Sequence, residues 1–84
     1  MYQSYPNPTS NETIIEFRNG IGGNISIVLY DNFGRYVREI TNDYYNNGLQ
    51  TVSFNISDLK TGIYYYVMKT EFNEKFSKKI TILK

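Results

Sequence analysis

Apolar side chains in this chain recur at every second position in short runs, and no stretch sustains the 3.6-residue spacing of a helix. Successive side chains of an extended backbone point to opposite faces, so this alternation marks strands with one buried face. Residues 49–56 are the clearest case, with Val52, Phe54 and Ile56 inward and Thr51, Ser53 and Asn55 outward. Residues 24–30 obey the same rule through Ile25, Ile27 and Leu29. Runs at 13–17, 36–41, 63–70 and 75–83 complete the set, each bounded by Gly, Asn, Asp or Pro. In 63–70, Lys69 shares a side with Ile63, Tyr65 and Val67, which assigns Tyr64, Tyr66 and Met68 to the interior. In 36–41, Val37 and Ile40 are three apart and cannot share a face of an unbroken strand, so a bulge is expected. The last run is expected to place Ile80 and Ile82 in the core beside Phe76.

Short strands at this spacing predict an all-β fold, an immunoglobulin-like antiparallel β-sandwich of about seven short strands. At 84 residues the chain has room for one domain, 1–84, with residues 1–12 as an entry segment from a linker or attached cargo. It contains no Cys, His or Trp but nine Tyr and five Phe. The core must therefore rest on aliphatic and aromatic packing, with no disulfide or metal to reinforce it.

Backbone chemistry explains the segments between the runs. In Tyr5-Pro6-Asn7-Pro8 both prolines fix φ and hold the preceding residue extended, giving a stiff entry in which Tyr5 can lie as a lid on one end of the sandwich. Asp31-Asn32-Phe33-Gly34 has Asp first and Gly fourth, as in a type I turn closed by a residue at positive φ, and Arg35 is placed to pair with Asp31. Residues 57–62 suggest a short helical turn capped by Ser57 or Asp58 and stopped by Gly62, with Leu59 plugging the bottom of the sandwich.

Few chemistries are open to such a chain. Without His or Cys, catalysis would need paired carboxylates or a Ser–Lys dyad, yet Asp31, Asp43 and Asp58 fall where turns use aspartate for backbone bonding. Ser77 and Lys78 are adjacent on a strand and so point apart. No enzyme activity and no cofactor are expected. A net charge of +1 argues against nucleic-acid binding, and the longest apolar stretch, 63–68, is far short of the ~20 residues of a membrane span. Tyr44, Tyr45, Tyr64, Tyr65 and Tyr66 could stack on sugar rings, but three consecutive tyrosines cannot share one face. Lys75, Lys78, Lys79 and Lys84 gather in the last ten positions without an acid. They either guard an edge strand against aggregation or meet a partner.

Four strings, taken in order, go further: Tyr5-Pro6-Asn7-Pro8, Tyr30-Asp31 with Gly34-Arg35, Leu59 with Gly62-Ile63-Tyr64, and Lys79-Ile80 through Lys84. Together they resemble the type A C-terminal sorting domain of the type IX secretion system, an immunoglobulin-like family of Bacteroidetes. The resemblance implies that cargo attached at the N-terminus is carried through the periplasm to the outer-membrane translocon and on to the cell surface or medium. A sortase-like peptidase would then remove the domain. Lys78, Lys79, Ile80, Ile82 and Lys84 would be read by a translocon or shuttle protein. Pro6, Asn7, Pro8, Tyr30, Asp31, Gly34, Arg35, Leu59, Gly62 and Tyr64 would hold the fold. Hook-capping domains share a similar sandwich and some of these turns, so a structural assembly or adhesion module is the alternative, ahead of a carbohydrate-binding one.

Overall fold

A computed structural model describes residues 2–5, 12–20 and 22–83. Seven strands run through them: β1 (Tyr2–Tyr5), β2 (Glu12–Asn19), β3 (Gly23–Asp31), β4 (Tyr36–Tyr45), β5 (Gly48–Asn55), β6 (Gly62–Thr70) and β7 (Lys75–Ile82). They form two antiparallel sheets, one ordered β1-β2-β5 and the other β4-β3-β6-β7. No helix occurs among the described residues, and none therefore is long and apolar enough to cross a membrane.

The alternating side chains close the two sheets on each other. Thr13, Ile15 and Phe17 of β2, Phe54 of β5 and Ile56 just beyond it face Ile25, Ile27 and Leu29 of β3, Tyr64, Tyr66 and Met68 of β6, and Ile80 and Ile82 of β7. Leu59 packs against this core from the loop after β5, in the plugging role expected of it. The residues read as an entry segment also contribute to the fold, because the backbone of 2–5 adds β1 to the edge of β2. The lid role expected of Tyr5 lies outside what is described.

The bulge expected in β4 is present twice. Ile27 pairs with Thr41 but Val28 pairs with Glu39, and Leu29 pairs with Arg38 but Tyr30 with Tyr36. The residues skipped are Ile40 and Val37, both half-buried against the core. Together the two extra residues let Ile40 and Val37 both lean on the core, which an unbroken alternation would not allow.

Three expectations are corrected. β4 runs on to Tyr45, so Asp43 lies in a strand opposite Ile25 and not in a turn. The extension is held at its end by Tyr45, whose ring meets Phe17 of the other sheet edge-on at 5.4 Å and whose hydroxyl shares a 2.7 Å hydrogen bond with Thr41 Oγ1. These contacts outweigh the weak strand preference of Asn42 and Asp43. Second, residues 57–61 make a tight turn and no helix: the Leu59 N–H donates to the Ile56 carbonyl at 3.0 Å. Its cap is Asn55, whose Oδ1 accepts from the Ser57 N–H at 2.8 Å and from the Ser57 hydroxyl at 2.6 Å. Gly62 simply opens β6, and a Cβ there would make only an ordinary contact with the Tyr64 ring. Third, Phe76 is 37% exposed. Among the described residues of β7 only Ile80 and Ile82 are sealed, and the first half of this edge strand is exposed, so the inner face that alternation gives Phe76 does not bury it.

Substituting Ile27 by Ala should cost about 2–5 kcal/mol of unfolding free energy, the range for a large-to-small change in a packed interior. Ser53→Ala, on the exposed face of β5, should stay within about 0.5 kcal/mol. Urea denaturation of the two variants measures the difference.

Candidate functional site

β7 forms an edge of the four-stranded sheet, paired with β6 on one side. Its two halves differ. Ile80 and Ile82, opposite Tyr64 and Gly62, are fully buried. Residues 75–79 are exposed throughout, and alternation sends Lys75 and Lys79 to the outer face and Lys78 to the inner one. Lys75 lies directly opposite Lys69 of β6. None of Lys69, Lys75, Lys78 and Lys79 makes an ion pair among the described residues. The strand thus presents lysines on both faces, held in place by two isoleucines driven into the core.

Of the residues expected to be read, Lys78 and Lys79 are accessible and Lys84 lies outside the described residues. Ile80 and Ile82 were expected both in the core and among the contact residues. Burial leaves them only the first role while the sandwich is closed.

The other motif residues brace this edge from two directions. Across the outer face, β4, β3, β6 and β7 align Tyr36, Tyr30, Tyr65 and Lys79 in one row. Tyr30 is half-buried between the neighbouring rings, and directly opposed aromatic pairs stabilise a sheet. At the foot of β6, the Tyr64 hydroxyl donates to the Lys60 carbonyl at 2.8 Å, tying the loop that carries Leu59 to the strand beside Ile80. Pro6, Asn7 and Pro8 lie outside the described residues.

The β3–β4 hairpin turns as its sequence requires. Asp31 Oδ1 accepts from the Phe33 N–H at 2.8 Å and the Arg35 N–H at 2.9 Å, while Oδ2 takes the Arg35 Nε–H at 2.8 Å. The Gly34 N–H donates to the Asp31 carbonyl at 3.0 Å, and Gly34 stands at φ 80°, in the left-handed region. Arg35 also lies over the Phe33 ring, 5.3 Å from its centre. The Arg35 N–H above all, against the opposing effect of desolvation and with the help of the Phe33 N–H and the Arg35 guanidinium, holds the Asp31 carboxyl below its ordinary range.

Other features escaped the sequence reading. The β6–β7 hairpin repeats the same turn with Thr70 in place of aspartate: its Oγ1 accepts from the Phe72 and Glu74 N–H groups, both at 3.2 Å, and Asn73 takes the left-handed position at φ 65°. The available signal was a hydroxyl residue followed three positions on by Asn. Arg38 clamps β4 to the turn after β5, donating to the Asn55 carbonyl at 3.0 Å and to Asp58 Oδ2 at 2.7 Å. The five tyrosines considered as a sugar platform do not gather: Tyr64 and Tyr66 face the core, Tyr45 packs on Phe17, and Tyr44 lies on another strand from Tyr65.

Two substitutions test the hairpin. Gly34→Ala should destabilise by about 1–2 kcal/mol, the cost of the left-handed conformation to an L side chain. Because the folded-state carboxyl of Asp31 titrates below its unfolded value, its contribution is complete above about pH 3.9 and is lost as pH falls through the folded value. Asp31→Asn should therefore flatten that part of the acid limb of the stability profile, measured by thermal unfolding across the acid range.

No curated protein matches this chain. The family model of secretion system C-terminal sorting domains matches residues 3–83, nearly its whole length. The chain belongs to that family, the type IX secretion C-terminal sorting domains, a family of export signals to the cell surface or medium and not of enzymes.

Proposed function

We propose that this domain is a non-catalytic address whose readable part is the exposed half of β7 together with the residues that follow it. Membership of the family implies cargo attached N-terminally and a secretion system that receives it. In this reading the cargo crosses the periplasm, a translocon or shuttle protein in the outer membrane takes hold of the β7 edge through Lys78, Lys79 and Lys84, and a sortase-like peptidase later removes the domain.

The observation that carries the reading is the division within β7. Ile80 and Ile82 fix the strand by burial, while the adjacent lysines are exposed on both faces and make no ion pair among the described residues. Lysines along an edge also deter random strand pairing, and a reader of opposite charge turns that guard into specificity. Lys75 opposite Lys69 does not stabilise the sheet, since like charges placed directly across a ladder repel.

The test fuses residues 2–84 to a periplasmic reporter in a host with this secretion system. The double change Lys78→Glu with Lys79→Glu, and separately deletion of 83–84, should each lower reporter in the medium at least tenfold. The thermal midpoint of the Glu variant should stay within a few degrees of the parent. Undiminished export by both variants would overturn the proposal.

A further inference from the structure

The two sheets have four edge strands among the described residues, β1 and β5 in one and β4 and β7 in the other. An edge offers its unpaired N–H and C=O groups to any strand it meets, so natural sheets guard theirs. Three of these four are guarded. β7 carries Lys75, Lys78 and Lys79, β4 is interrupted by two bulges and bears Arg38, Glu39 and Asp43, and β1 is four residues long.

β5 has none of these devices. It follows β2 without a shift from Gly48 opposite Asn19 to Asn55 opposite Glu12, and it contains no charged residue and no proline. Thr51, Val52 and Phe54 favour strands, and an uncharged run of that kind on an edge is the pattern that pairs with another chain. No strand lies along its far side among the described residues. At its end the Asn55 carbonyl is taken by Arg38 at 3.0 Å, which leaves residues 48–54 to pair.

We infer that the strand completing this edge is β5 of a second copy, lying antiparallel about a twofold axis, so that the two three-stranded sheets become one. Having no charge, β5 does not select a charged strand, and it can face itself without setting like charges opposite one another. The lysines of β7, the bulges of β4 and the brevity of β1 leave a second copy no other edge to offer. Pairing of like with like closes at two chains. Using the whole of 48–54 puts Thr51 on the axis against the second copy's Thr51, with Leu49 opposite Ser53. A threonine pair suits that place, and Leu49, 56% exposed in the single chain, gains cover. β7 bounds the other sheet, so the pairing does not depend on a reader there.

Sedimentation velocity from about 10 µM to about 1 mM tests it, a span that includes weak but specific association. This chain should pass from one copy to two and go no higher. Thr51→Lys should hold it at one copy throughout, because two ammonium groups would meet on the axis. Glu16 of β2 stands directly opposite Thr51, so the new side chain gains a partner within its own chain and the thermal midpoint should stay within a few degrees of the parent. The chain has no Cys, so a single introduced thiol reports contact directly. Thr51→Cys should form a disulfide between copies at least tenfold faster than Ser77→Cys on the exposed part of β7, since directly opposed residues lie within disulfide reach. A parent that stays single at every concentration would overturn the inference and leave the edge to a strand of another protein. So would growth beyond two copies, a folded Thr51→Lys variant that pairs like the parent, or equal cross-linking at both positions.

Discussion

The pairing of β3 with β6 is the constraint on which the rest depends. These two strands form the middle of the four-stranded sheet, joined in unbroken register from Ile25 opposite Thr70 to Asp31 opposite Tyr64. Every inward side chain from Ile25 to Leu29 and from Tyr64 to Met68 is buried. A slip of one residue would turn all of them to solvent, so hydrophobic burial fixes the register and the register fixes everything attached to either strand. β4 is carried by β3 through the Asp31 turn, and β7 by β6 through the Thr70 turn.

The residues at the ends of these strands divide between steering and anchoring. Asp31 and Gly34 send the chain back as β4, while Tyr64 belongs at once to the core and to the loop before it through the Lys60 carbonyl. None of them supplies a reactive group. A domain whose work is to be recognised needs a fixed outline more than it needs chemistry, and hydrogen-bonded turns between buried strands provide one in a chain without His or Cys.

Legibility in the sequence followed the strength of the local signal. Period-two alternation placed the inner faces of β3, β5 and β6, and the awkward spacing of Val37 and Ile40 announced the irregularity of β4, because both follow from one backbone geometry. Phe76 was misplaced because alternation reports which face a residue takes and not how far the opposite sheet extends over it. Asp43 was misplaced because Tyr45, whose partners Phe17 and Thr41 keep β4 going, acts partly across the gap between sheets where no window of sequence reaches. The turn at 57–61 was assigned to the wrong cap for a similar reason: Asn55 sits at the end of a strand pattern and was counted with it.

The inner face of β7 is covered over only part of its length: Ile80 and Ile82 are sealed, while Phe76 and Lys78 on the same face stand exposed. Had the whole of that face been covered, the interior would have demanded an apolar residue in place of Lys78, because a lysine is almost never fully buried without a partner. Partial cover is thus what permits a charged edge and a sealed core in a single strand.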